Sequence, residues 1–148
     1  MTRRSGLQVL VQLARLEEQR KLQDLGRAQA ALGASQEQQR ALEAALAKIT
    51  LADRLGGGVL AAAELRSVSE QTSWMRTQLP IAAGAVSRAK ATADRARHAL
   101  AAATLRARGL ADAAQRRERE ARRTLERRLT KRLEDRTQRP VGGDDEAH

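Results

Sequence analysis

Histidine, hydroxyl and carboxyl side chains are the groups of this chain that could carry catalysis or hold a metal, and their spacing favours neither role. His98 and His148 are the only histidines, and they lie fifty residues apart, so neither has a second histidine at a spacing typical of metal ligands. The serines and threonines lack a nearby histidine base. Glu17 and Glu18 are adjacent on an expected helix, so their side chains diverge by about 100°. We therefore expect no enzymatic activity, no metal and no cofactor.

Three consecutive glycines, Gly56 to Gly58, are the clearest interruption of the sequence. A phosphate-binding P-loop requires Lys-Ser or Lys-Thr after its glycines, whereas Val59 and Leu60 follow here. We therefore reject an ATPase site. Because glycine ends helices cheaply through left-handed conformations, the cluster predicts a turn between two antiparallel helices.

Arginine makes the chain strongly basic, so the chain is expected to attract anions. The net charge is +10, and residues 114–139 hold eleven Arg and Lys against five acids, an electrostatic footprint for DNA or RNA. No aromatic residue accompanies these cations for base stacking, and no helix-turn-helix or RNA-binding motif appears. Three acid-first pairs also stand at the helical i, i+4 spacing: Asp112 with Arg116, Glu118 with Arg122, and Asp135 with Arg139. Binding of nucleic acid or another polyanion is therefore the alternative hypothesis, and no specific nucleic acid is expected as a partner.

Composition predicts helix almost everywhere. Ala, Leu and Arg, all strong helix formers, supply 30, 20 and 24 of the 148 residues, while Phe and Tyr are absent and Trp occurs once. So few aromatics cannot fill a thick globular core, which favours a pair of long helices. Cysteine is absent, no run approaches about 18 consecutive apolar residues, and the start lacks the features of a signal peptide. We expect an intracellular soluble protein.

The second half of the chain carries a sustained heptad pattern. A strict 3,4,3,4 spacing links seventeen positions, of which only Thr72 and Arg117 are not apolar: Leu65, Val68, Thr72, Met75, Leu79, Ala82, Val86, Ala89, Ala93, Ala96, Leu100, Ala103, Ala107, Leu110, Ala114, Arg117 and Ala121. A 3.5-residue repeat keeps one seam of a helix facing a partner helix.

The first half carries a less regular seam, in which nine of thirteen positions are apolar. Its members are Leu7, Val11, Ala14, Glu18, Lys21, Leu25, Ala28, Leu32, Ser35, Gln39, Leu42, Leu46 and Ile49. The polar positions predict local shifts of the seam, with Leu10, Leu13 and Leu22 as a neighbouring stripe. Ser5 is a plausible N-cap of this helix.

These patterns predict an all-α, long antiparallel two-helix coiled-coil hairpin with a longer second helix. Helix one is expected over about 5–54, the turn over 55–59 and helix two over about 60–136, with a kink near Pro80 because proline removes a helical hydrogen bond. Residues 140–148 read as a disordered tail.

A hairpin turning at Gly57 puts residue i opposite roughly 114 minus i, so Leu7 is expected near Ala107. Helix two then outlasts helix one from about Arg108 to Arg136. Its stripe passes into a ladder of Leu125, Leu129 and Leu133, displaced from the seam by a stutter. Such an unpaired apolar stripe requires another chain, so we expect self-association through the ladder and Leu110 when no partner is present.

Trp74 is the only aromatic residue and lies one position outside the seam, beside Met75. Two interpretations stay open. It either flanks the hairpin interface or is an exposed anchor for a partner, since tryptophan and methionine are enriched at binding surfaces.

The chain resembles the small helical-hairpin proteins of bacterial type III secretion, FliJ in flagella and the YscO or HrpO type in injectisomes. The resemblance covers nearly the whole chain, through its length, the glycine-marked turn, the opening LQVLVQLARLEEQRKLQDLGRAQAAL and the close REREARRTLERRLTKRLEDR. The short first helix, longer second helix and basic C-terminal end distinguish it from a generic coiled coil. Flagellar members usually have Tyr and Phe early in helix two; their absence here favours an injectisome member.

The resemblance implies a non-enzymatic central stalk that inserts into the hexameric secretion ATPase, promotes its assembly and couples it to the export-gate membrane protein. It also implies binding of export chaperones and a cytoplasmic location, peripheral to the export apparatus at the inner membrane. The implied ATPase-binding residues are Arg116, Arg119, Arg122, Arg123, Leu125, Arg127, Leu129, Arg132 and Leu133. The implied export-gate or chaperone-binding residues are Trp74, Met75, Leu79, Ala82 and Val86.

Overall fold

Two long α-helices packed against each other form the described part of the chain. The computed structural model describes residues 6–55 and 62–139; α1 spans Gly6–Leu55 and α2 spans Ala62–Gln138. No strand occurs among these residues, and α2 is the longer helix, so the prediction of an all-α helical hairpin is confirmed. The helix is uninterrupted at Pro80.

Three sequence-based expectations fall outside the described residues. These are the N-cap at Ser5, the turn at Gly56 to Gly58 and the disordered tail at 140–148.

The chain divides into two compact units, residues 16–104 and residues 1–15 with 105–148. Within the first unit, the hydroxyl of Thr104 donates a hydrogen bond to Oε1 of Glu18 at 3.0 Å. At the other end of the same unit, Ile49 and Val68 line one groove. The start of α1 therefore meets the late part of α2, and its end meets the early part, so the helices of this unit are antiparallel.

The seam of α1 follows the predicted heptad without a shift. All thirteen predicted seam positions are buried or half-buried, including the polar residues Glu18, Lys21 and Gln39. The predicted neighbouring stripe of Leu10, Leu13 and Leu22 is wrong, because all three side chains are exposed. Polar residues fit the seam because a lysine stem is apolar along its length and Glu18 receives a hydrogen bond from α2.

The seam of α2 is covered from Val68 to Ala114, where each seam position is buried or half-buried. Leu65, before this stretch, and Arg117 and Ala121, after it, are exposed. The buried apolar side chains of the described residues are mostly alanines, and Ala93 is the most enclosed, at 1% exposure. Small side chains let the two helices approach closely but bury little apolar area per layer.

The helices pair about one heptad away from the expected register. The Glu18–Thr104 contact and the end of α2 coverage at Ala114 fit a register in which residue i faces about 121 minus i. In this register Leu7 faces Ala114 rather than Ala107, and α1 covers α2 seven residues further than expected.

Candidate functional site: the distal segment of helix two

Residues 115–139, which we call the distal segment, form the most distinctive surface of the chain. Every residue of this stretch is exposed, and it is helical to Gln138. The unpaired part of α2 therefore begins at Gln115 instead of the expected Arg108. At 1.5 Å per residue, its helical part is about 36 Å long.

The cations of the distal segment are largely without intramolecular partners. It contains eleven Arg and Lys against five Asp and Glu. Among the described residues, its one ion pair joins Nη2 of Arg122 to Oε1 of Glu118 at 2.7 Å, between two well-exposed side chains. The expected pairing of Asp112 with Arg116 does not form, and Asp135 meets Arg139 through a backbone hydrogen bond only. Ten cations thus face solvent without an ion-pair partner in the described part of the chain.

Three leucines form an exposed apolar line along the same segment. Leu125, Leu129 and Leu133 follow one another at four-residue intervals, and they are 58%, 50% and 62% exposed. We call these three residues the leucine ladder. Leucines spaced four apart lie on one side of a helix, so the ladder is a continuous narrow stripe between charged side chains.

The hydroxyl groups of the distal segment are already satisfied. Thr124, Thr130 and Thr137 each donate to a backbone carbonyl oxygen of the same helix, at 2.8, 2.9 and 2.9 Å. The segment therefore offers a partner apolar contact and positive charge, with few spare hydroxyl donors.

The structure places all nine residues of the implied ATPase-binding set on this one exposed helix. They are Arg116, Arg119, Arg122, Arg123, Leu125, Arg127, Leu129, Arg132 and Leu133.

The second implied binding set lies elsewhere on α2 and is mostly turned toward α1. Met75, Leu79 and Val86 are half-buried in the seam, and Ala82 is buried. Trp74 is 58% exposed, which favours its interpretation as an outward-facing residue. Only Trp74 of this set is free to contact a partner without opening the hairpin.

Sequence reasoning missed Ile81 as a neighbour of Trp74. Ile81 is as exposed as Trp74, and the two residues are seven positions apart, hence on the same side of α2. The heptad position shared by the two residues was the signal that could have identified this pair.

A further exposed apolar stripe lies on α1, on the side opposite its seam. Val9, Leu13 and Leu16 are exposed and follow at intervals of four and three residues. The sequence contains this spacing, but the seam is much longer and therefore dominates the apolar pattern of α1.

His98, the histidine of the described residues, has its ring contact within its own helix. Nδ1 of His98 lies 2.7 Å from the backbone oxygen of Asp94, one turn earlier on its own exposed helix surface. No group of three or more potential metal ligands occurs in the described part of the chain. A groove of about 670 Å³ flanks the helices near Ile49 and Thr72, and the hydroxyl of Thr72 donates a hydrogen bond to the backbone oxygen of Val68.

Comparisons with known proteins add no family assignment. No protein-family model, no curated protein and no solved structure matches this chain. No helix among the described residues is long and apolar enough to cross a membrane.

Proposed function

We propose that this protein is a non-enzymatic central-stalk component of a bacterial type III protein export apparatus, in an injectisome or a flagellum. In this role its distal segment inserts into the hexameric secretion ATPase, promotes assembly of the hexamer and couples it to the export gate. The proposal is supported by the resemblance of the sequence to the FliJ and YscO type and by one structural observation. That observation is a basic helix of about 36 Å with an exposed leucine ladder, which no other helix of the described residues covers.

The chemistry of the distal segment suits a surrounding protein surface. Cations recur along the segment at spacings that place them on every side of the helix, since each residue turns the helix by about 100°. A flat partner would meet one side only, whereas the pore of a ring meets all sides. The leucine ladder would then supply the apolar contact, and carboxylates of the ring would pair with the cations.

The export-gate contact in this proposal uses Trp74 together with Ile81. Both side chains are exposed on one side of α2, so they can be buried by a partner while the seam stays closed. Escort of export chaperones rests on the resemblance alone.

Stimulation of a type III secretion ATPase tests the proposal. The variant with Leu125, Leu129 and Leu133 changed to alanine is expected to lose most of the stimulation at equal helicity. A matched control changes three exposed leucines of α1, Leu10, Leu13 and Leu22, to alanine and is expected to stimulate normally. Equal stimulation by both triple variants, or no binding of the ATPase by the unmodified protein, would refute the stalk hypothesis.

Polyanion binding is the second candidate, because ten cations of the distal segment have no ion-pair partner among the described residues. Affinity for duplex DNA would then fall steeply with salt, since each neutralised phosphate releases counterions. Tight duplex binding at physiological salt would favour this candidate, and weak binding there would exclude it.

A further inference from the structure

The heptad seams of α1 and α2 match each other in two registers. In the observed register, where residue i faces about 121 minus i, each of the thirteen seam positions of α1 faces a seam position of α2. Displacing α1 by seven residues toward the start of α2 leaves this match complete. We call this second arrangement the shifted register; in it residue i faces about 114 minus i.

Apolar burial favours neither register strongly. The shifted register would uncover Leu110 and Ala114 and cover Leu65 and Val68. Leu65 is exposed and Val68 half-buried in the observed register, so apolar area would be gained at that end as it is lost at the other. Alanine layers also hold register weakly, because small side chains interlock less than large ones.

The two registers differ in the polar partner of Glu18. In the observed register Glu18 receives a hydrogen bond from Thr104. The residue at the same heptad position seven residues earlier is Arg97, which in the observed register lies 3.6 Å from Asp94 in an exposed ion pair. In the shifted register Glu18 would face Arg97, so its carboxylate exchanges a hydroxyl donor for a cation.

We propose that the hairpin slides between these two registers, with Glu18 alternating between Thr104 and Arg97. One heptad of sliding displaces α1 along α2 by about 10 Å. The unpaired part of α2 would then begin at Arg108 instead of Gln115. A partner that covers Leu110 and Ala114 stabilises the shifted register, because ligands shift a two-state equilibrium toward the state they bind better. This sliding does not depend on the proposed function.

Disulfide formation in this cysteine-free chain tests the proposal. The pair Ala28→Cys with Ala93→Cys reports the observed register, and Ala28→Cys with Val86→Cys reports the shifted one with the same heptad geometry. Ala28→Cys with Ala101→Cys is the background control, since Ala101 is exposed and faces Ala28 in neither register. We expect the first pair to oxidise fastest and the second to oxidise clearly above background.

Substitutions of the two polar partners sharpen the test. Thr104→Val removes the hydrogen bond of the observed register and is expected to speed the Ala28–Val86 crosslink about fivefold. Arg97→Gln is expected to slow it. A Val86 crosslink that stays at the Ala101 background even with Thr104→Val would overturn the proposal.

Distances between spin labels provide a measurement that needs no seam substitution. Labels at Ala44 and Lys90, both exposed, are separated along the helix axis by about 20 Å in the observed register and about 30 Å in the shifted one. Two distances differing by about 10 Å support sliding, and the shorter distance alone in both the parent and the Thr104→Val background contradicts it.

Discussion

Replacing Gly26 and Gly33 by alanine is expected to stabilise the hairpin. Both glycines lie inside α1, and a Cβ at either position would meet no heavy atom within 4 Å beyond the adjacent backbone. Glycine in a helix interior costs about 0.5–1 kcal/mol relative to alanine. The two sites are about 10 Å apart along the helix, so their effects should add, and the double variant is expected to gain about 1–2 kcal/mol in free energy of unfolding.

Urea unfolding followed by circular dichroism at 222 nm measures this gain. With a denaturant slope of about 2 kcal/mol per molar, the unfolding midpoint of the double variant should rise by about 0.5–1 M. Ala30→Gly, which lies between the two sites and is exposed like Gly26, is the matched control and should lower the midpoint.

A double variant with unchanged or reduced stability, alongside the expected loss in Ala30→Gly, would refute the reasoning. Such a result would mean that another part of the protein approaches the backbone of Gly26 or Gly33 too closely to leave room for a Cβ.

Further predictions concern the seam and the leucine ladder. Val11→Ala should lower the free energy of unfolding in urea titrations by about 1 kcal/mol more than Val9→Ala, because Val11 is 9% exposed and Val9 is 43% exposed. Both substitutions gain the same helix propensity, so the difference measures burial alone. Equal effects would contradict the assigned seam. Alanine at all three ladder positions should change the stability of the monomer by less than about 0.5 kcal/mol, because these side chains are exposed; a larger loss in the same titration would show that they are covered. The isolated protein should self-associate in light scattering, more strongly at higher salt because salt screens the repulsion between basic distal segments, and a strict monomer at all salt concentrations would count against an unpaired apolar stripe.

The fold class and the seam could be predicted from sequence because they depend on local periodicity. Alternating intervals of three and four residues, such as Val11 to Ala14 and Ala14 to Glu18, predict which side of α1 is buried, whatever partner covers it. The burial of the polar seam positions could not be predicted in the same way, because Glu18 and Lys21 suggested that the seam shifts toward Leu22. The structure keeps the seam, because Thr104 satisfies Glu18 and a hydrogen-bonded polar group is tolerated where an unpaired one is not.

The register could not be predicted, because a heptad repeat looks the same after a displacement of seven residues. Centring the hairpin on Gly57 placed Ala107 opposite Leu7, whereas the register inferred from the Glu18–Thr104 hydrogen bond and from the burial of the seam puts Ala114 opposite Leu7. Because the observed register differs from the expected one, the unpaired segment begins at Gln115 instead of Arg108. Which residues of α2 are left for a partner is therefore a tertiary property that periodicity alone does not encode.

Hydrogen–deuterium exchange of the full-length protein, with and without a type III secretion ATPase, tests the central claim most directly. The distal segment is a solvated single helix, and we expect its amides to exchange fast in the free protein and to be protected when the ATPase is added. Residues 16–53 of α1 should show little change. Protection confined to α1, or unchanged exchange across residues 115–139 in an ATPase-bound sample, would contradict the claim that the distal segment is the partner-binding surface.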